Sequence, residues 1–243
     1  MKITYIKQSS FLLEWENSLW LFDYFAGELP DLDPRKRLIT FTSHGHKDHF
    51  SYELFSRTSG HPHTLHLLSD DISISARDRA SYEISRQQGN AMKFLAPHLS
   101  YCFDDGAGNE IAVRTLLSTD QGLAFLIDYC GRRIYHAGDL HWWIWDGEPP
   151  QEAQAMERRF FAEIDALKNV RIDAAFLTLD PRLEGNFAKG FDAVMRTAHI
   201  DAVFPMHFWE DPCVNQRLLA MECSQPYRQK IRPVVCEGES FVF

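Results

Sequence analysis

His44-Gly45-His46-Lys47-Asp48-His49 follows directly on the apolar run Leu38-Ile39-Thr40-Phe41-Thr42-Ser43. Three imidazoles and a carboxylate within six residues make a poor core and a good metal site. Neutral imidazole nitrogen and carboxylate oxygen are ligands that Zn²⁺, Mn²⁺ and Fe accept, and Gly45 lets the backbone bend so that neighbouring side chains converge. The stretch therefore reads as a metal-binding loop after a strand, rather than as a solvated loop that happens to carry histidines.

Two more apolar runs end in residues that bind metal. Ile134-Tyr135-His136-Ala137-Gly138 ends at Asp139, and Ala202-Val203-Phe204-Pro205-Met206 ends at His207. In mixed α/β sheets ligand sites gather at the carboxyl ends of strands, so His44, Asp139 and His207 meet if their strands are neighbours. That recurrence weighs more than any single residue.

Composition narrows the setting. A chain of 243 residues with 45% hydrophobic and 24% charged residues is long enough to bury a sizeable core. A formal charge of -9 argues against a broad nucleic-acid surface or an anionic-membrane surface. The five cysteines, Cys102, Cys130, Cys213, Cys223 and Cys236, are scattered without a C-x-x-C pair, which predicts buried free thiols in a reducing compartment. The N-terminus has no export-signal pattern and no run is long enough to span a bilayer, so a cytoplasmic protein is expected.

The pattern predicts short strands at Lys2 to Lys7, Phe11 to Trp15 and Leu19 to Tyr24, the last two joined as a hairpin, then a strand over Arg37 to Thr42. Further strands are expected at Thr64 to Leu68, Met92 to Leu95, Glu110 to Leu117, Leu123 to Tyr129 and Arg132 to His136. From Pro149 the texture changes. Glu152 to Leu167, Phe187 to Ala198 and Val214 to Cys223 carry helical spacing, strands at Asp173 to Leu179 and Ala202 to Met206 alternate with them, and Ile231 to Cys236 with Phe241 to Phe243 closes the chain in extended structure. No linker divides the chain, so one domain over residues 1–243 is expected. His61, His63 and His66 form a second histidine group; Pro62 and the distance from other carboxylates favour an ordinary surface loop over a second metal patch.

His44-x-His46-x-Asp48-His49, then Gly138-Asp139 after a strand, then His207 after a later one resembles the metallo-β-lactamase superfamily of metal-dependent hydrolases, and Asp23 matches its early structural aspartate. The resemblance implies an α/β (α+β) fold, a four-layer αββα sandwich with metal at one edge between two sheets. By the same resemblance, His44 and His46 hold one ion, Asp48, His49 and His207 another, Asp139 bridges them, and Asp23 orients a ligand or the loop without touching metal. One or two ions, Zn²⁺ with Mn²⁺ or Fe as alternatives, would then hold a hydroxide that attacks an ester, lactone, amide or phosphoester bond of a small molecule, with Asp48 and Asp139 as the catalytic carboxylates. The strand-end His136-Ala137-Gly138-Asp139 is most similar to the branch of L-ascorbate-6-phosphate lactonase.

One departure stands out. The superfamily usually places a further histidine about twenty residues before Gly138-Asp139, where this chain has Leu117-Ser118-Thr119-Asp120-Gln121-Gly122. Asp120 either replaces that ligand with an oxygen or only caps a turn. Trp142, Trp143 and Trp145 either wall a substrate cleft or pack on the following helix; His141 is placed to reach the cleft, and Arg182 either binds an anionic group or pairs with Asp180. Two rival functions follow: a catalytically inert metal-binding module with an incomplete first site, and a di-iron redox centre, for which no flavodoxin-like partner domain is visible. Substrate, ion and oligomeric state are not written in the sequence.

Overall fold

Apolar residues on alternating positions decide how the strands pack. In the computed structural model, which describes residues 1–243, β1 (Lys2–Lys7), β2 (Ser10–Glu14) and β3 (Ser18–Phe22) form an antiparallel meander. From β3 onward the pairing turns parallel, through β4 (Arg37–Thr42) and, after helix α1 (Glu53–Thr58), β5 (Thr64–Ser69). Two short helices, α2 (Ala76–Ser81) and α3 (Arg86–Asn90), lead to β6 (Met92–Leu95). Each helix begins with a capping box, from Ser75 to Asp78 and from Ser85 to Gln88.

The second sheet begins with antiparallel β7 (Ser100–Asp104), β8 (Glu110–Leu117), β9 (Leu123–Tyr129) and β10 (Arg132–His136). Helix α4 (Pro150–Ile164) leads to β11 (Arg171–Thr178), and α5 (Lys189–Thr197) to β12 (His199–Met206), both parallel to β10. Helix α6 (Cys213–Ala220) and the last strand, β13 (Ser240–Val242), follow; β13 returns to the first sheet beside β1. The two sheets therefore run β13-β1-β2-β3-β4-β5-β6 and β12-β11-β10-β9-β8-β7.

Their facing sides share one apolar core. Phe11 meets Phe176 at 4.6 Å between ring centres, Trp20 meets Tyr129 at 5.2 Å and Phe41 meets Phe125 at 5.6 Å, each pair crossing from one sheet to the other. Within β3, Trp20 and Phe22 face inward while Leu19 and Leu21 join Leu38 and Leu54 beneath α1. That strand is buried on both faces, which is why it reads as a continuous apolar run. Phe160 and Ile164 of α4 and Phe191 and Val194 of α5 cover the second sheet's outer face, giving the αββα layering.

The structure departs from expectation in two respects. The strand β7 and helix α3 arise where none was predicted, while the closing extended stretch pairs as β13 and, at Ile231, through an isolated bridge to Val203. The thiols are free but not buried: Cys102, Cys130, Cys213 and Cys236 are exposed and Cys223 is half-buried. They lie on edge, turn and surface positions, where the core offers no place for them. The strands ending at His44, Asp139 and His207 come from both sheets, β4 from the first and β10 and β12 from the second, so the three residues lie at an edge between the sheets.

Candidate metal centre

Five parallel strand ends converge at one edge of the sandwich: β3 delivers Asp23, β4 His44, β10 Asp139, β11 Asp180 and β12 His207. Asp23, Gly138 and His207 take positive φ values of 42°, 51° and 63°, turning the chain sharply as it leaves each strand. Left-handed non-glycine residues cost about 1–3 kcal/mol each, so the surrounding bonds hold them there.

The loop after β4 is fixed from below. Asp23, fully buried, accepts the Ser43 amide at 2.7 Å, the Ser43 hydroxyl at 2.7 Å and His49 Nδ1 at 2.8 Å. Burial would push its carboxyl up, but His49 and its hydrogen bond outweigh that and hold it below the usual range. With its proton given to Asp23, the Ser43 Oγ is left to accept from His44 Nδ1 at 2.9 Å. His207 Nδ1 likewise donates to Asp180 at 3.0 Å. Each bond commits the outer ring nitrogen and turns Nε2 of His44, His49 and His207 inward.

The inward atoms form two trios, His44 with His46 and Asp139, and Asp48 with His49 and His207, each with ligand atoms within 4.8 Å of one another. Asp139 faces both: Oδ2 is 3.5 Å from His44 Nε2, and Oδ1 is 3.3 Å from His49 Nε2 and 3.4 Å from His207 Nε2. Asp48 Oδ2 stands 3.4 Å from His207 Nε2. The trios differ electrically. Burial and the neighbouring His49 lower His44 to about 4, whereas for His207 burial is overridden by Asp139, Asp180 and Asp48, which push it up to about 9. Burial is likewise overridden at Asp48, which His207 and His49 lower to about 2.

Around this centre the expected residues separate. Asp120 Oδ2 lies 3.5 Å from His46 Nδ1 and outside the two trios, while its amide is held by Ser118 Oγ at 3.2 Å. Trp143 is buried, and its indole N–H donates to the Asp139 carbonyl at 3.1 Å. Trp142 packs on Phe160 and Phe161 of α4. Trp142 thus follows the packing alternative, while Trp143 stands edge-on to the His207 ring at 5.8 Å and stacks on Trp145. His141 is buried against Gly190 and edge-on to Trp143, apart from both trios. Arg182 pairs with Asp180 at 2.5 Å and lies 4.6 Å over the Trp209 ring. Of the other histidines, His66 in β5 is buried on Thr40 at 2.9 Å and His61, in the loop before that strand, is bonded to the Asp33 carbonyl at 3.2 Å.

Sequence reading missed two braces. Asp180 was weighed only as a partner of Arg182, although its place after a strand beside β12 signals a contact with His207. Asp71 accepts the Gly45 amide at 2.9 Å and the Gln121 carboxamide at 2.6 Å, clamping the loops that carry His46 and Asp120 together. No local pattern marks it. A cavity of about 400 Å³ opens beside Asp48, whereas a larger one of about 750 Å³ lies around Arg35 to Arg37, at the opposite end of β4, and touches none of these residues.

Residues 2–154, more than half of the chain, match the model of the β-lactamase superfamily domain. The chain belongs to the metallo-β-lactamase superfamily. Solved members of that fold overlay most of it. Igni18, a metallo hydrolase from the archaeon Ignicoccus hospitalis, is 17% identical with a TM-score of 0.61, over 100% of this chain and 98% of its own. The metallo-β-lactamase fold protein YhfI from Bacillus subtilis is 12% identical with a TM-score of 0.59, over 99% and 98%. CmlA, a diiron β-hydroxylase from Streptomyces venezuelae, is 12% identical with a TM-score of 0.52, over 85% of this chain and 44% of its own. At these identities the likeness is one of fold.

Proposed function

We propose that this metallo-β-lactamase superfamily chain is a cytoplasmic metal-dependent hydrolase of an ester, lactone, amide or phosphoester bond in a small molecule, residues 1–243 acting as one unit. One observation carries the reading. Nε2 of His49, Nε2 of His207 and Oδ1 of Asp139 are buried without any hydrogen-bond partner, while the outer nitrogens of both rings are fixed on carboxylates. An unsatisfied buried polar atom costs about 1–3 kcal/mol, and a cation among these atoms removes that cost.

His44, His46 and Asp139 would hold one ion, and Asp48, His49 and His207 a second with Asp139 shared between them. The donor set suits Zn²⁺, and an oxygen from Asp120 beside His46 extends it to Mn²⁺ or Fe. When bound, such cations polarise the oxygen of the scissile bond and acidify water. Asp48, ionised and still partly open at 17% side-chain exposure, is the carboxylate of the second trio best placed to orient an attacking water or take its proton. Asp23 and Asp180 keep the rings aimed. Within the superfamily, His136-Ala137-Gly138-Asp139 supports a placement near the L-ascorbate-6-phosphate lactonase branch. No helix is long and apolar enough to cross a membrane, in keeping with a cytoplasmic location.

A second reading rests on the openness of the half around His46, whose side chain is 46% exposed beside an Asp120 side chain that is 49% exposed. If that half holds no ion, the chain is a binding module. Metal content measured together with turnover of generic ester and phosphodiester substrates tests the proposal. Ester or phosphodiester cleavage that tracks loading is the expected result. One tightly held ion and no turnover with added Zn²⁺, Mn²⁺ or Fe²⁺ would overturn hydrolysis in favour of the binding module.

A further inference from the structure

The cavity beside Asp48 has a composition of its own. Phe25, Phe208, Trp209 and Val235 line it, with Val235 61% exposed at the surface and Phe208 buried. Its charged residues are Asp48, Lys7, Glu210 and Glu237, and Lys7 is already paired with Glu237 at 3.1 Å. Arg182 is not among the lining residues; it is spread on the Trp209 ring and spent on Asp180. An anionic group entering here would meet two carboxylates, Asp48 and Glu210, and no free cation.

The apolar wall is also built in place. Gln8, buried at 4% exposure, accepts the Trp209 amide on Oε1 at 2.7 Å and the His207 amide on its own carbonyl at 3.3 Å. Trp209 is thereby held at a φ of 53°, in fixed relation to His207. Tyr5 supports it from beneath, stacking on Phe208 at 5.7 Å and accepting the Gln8 amide on its hydroxyl at 2.8 Å. About 400 Å³ falls within the size range of small-molecule pockets, roughly 300–1,000 Å³.

We propose that this cavity is the specificity pocket of the centre and that it takes an uncharged, largely apolar limb of the substrate, an aryl or branched alkyl group, while turning away limbs that carry carboxylate or phosphate. The proposal rests on the hydrolytic reading above and deepens it. It also separates this chain's substrate from the phosphorylated lactone of the branch its strand-end motif resembles.

Methyl esters test it, because methanol is too small to fill the pocket and only the acyl limb varies. Methyl 3-phenylpropanoate, methyl propanoate and monomethyl succinate are compared on the metal-loaded chain, beside Phe25→Ala and Val235→Asp. The phenyl ester should exceed methyl propanoate in kcat/KM by about tenfold or more, and the succinate should fall below both. In the two variants that preference should collapse toward unity. Turnover without the preference, or a preference that survives both substitutions, would overturn the pocket.

If no ester is cleaved with any metal, hydrolysis fails and the pocket is judged by binding. Titration of 3-phenylpropanamide against the protein, followed by NMR, should then show saturable binding that Val235→Asp weakens and that 3-phenylpropanoate does not share. Absence of that binding, or equal binding of the carboxylate, would overturn the pocket on its own.

Discussion

The two halves of the centre use the same kinds of donor and hold them in opposite ways. His49 and His207 are buried, and each gives its outer nitrogen to a buried carboxylate, Asp23 or Asp180. His44 leans only on a serine hydroxyl, and His46 stands 46% exposed beside Asp120, with Asp71 gripping the backbone rather than the ring. A carboxylate behind a histidine fixes the ring and makes it a stronger ligand. The difference teaches that one half of the site is built before metal arrives, and the other is left to adjust around it.

Removing the residue that joins the halves should have the largest effect. Asp139→Ala is expected to lower bound metal, measured by mass spectrometry of the purified protein, and to bring turnover to background; unchanged stoichiometry would sink the shared-carboxylate assignment. Next comes the braced half. Asp23→Asn, which loosens His49 directly and His44 through Ser43, should weaken metal affinity by about 10–100-fold with the fold retained by circular dichroism. A smaller change, under about tenfold, is expected for Asp120→Ala, because its carboxylate faces an exposed ring. A larger loss from Asp120→Ala than from Asp23→Asn would invert the comparison.

Acidity gives the subtlest separation. His207 is raised from 6.5 to about 9, so in metal-free protein its contribution to stability is complete below pH 6.5 and is lost as pH rises through about 9. His44 is lowered to about 4, so its contribution is present above pH 6.5 and lost as pH falls toward 4. On the proposed ligand assignment, a metal ion would have to displace a proton at His207 and not at His44. Melting temperatures of the metal-free protein should therefore decline from pH 6.5 to 9, and this alkaline decline should be shallower in His207→Gln, where His49, also raised by Asp139 and Asp23, still contributes. Equal slopes in the two proteins would refute it.

Much of this was legible in sequence because the ligands follow strands whose apolar pattern is strong. Leu38 to Ser43, Ile134 to Gly138 and Ala202 to Met206 are buried runs, and a run that stops at a histidine or aspartate announces an edge. What the chain hides is which polar residue meets which. Asp180 and Asp120 both follow strands, yet one is fully buried beneath His207 and the other is half exposed beside His46. Sequence places Trp143 near Asp139 but does not show that its N–H bonds that residue's carbonyl or that its ring stands edge-on to His207. β7 escaped notice because it lies at a sheet edge with alternate residues exposed, so no continuous apolar run marks it. The capping box from Ser85 to Gln88 was a readable sign of α3.

Ser43 ties the two sheets together. Its amide and hydroxyl are bound to Asp23 of the first sheet, its carbonyl accepts Leu123 of the second at 2.8 Å, and a side chain at Gly122 would come within 2.0 Å of that oxygen. The ligand loop is therefore a seam between the two sheets, and a change that parted them there would be felt first at His44, the residue beside Ser43.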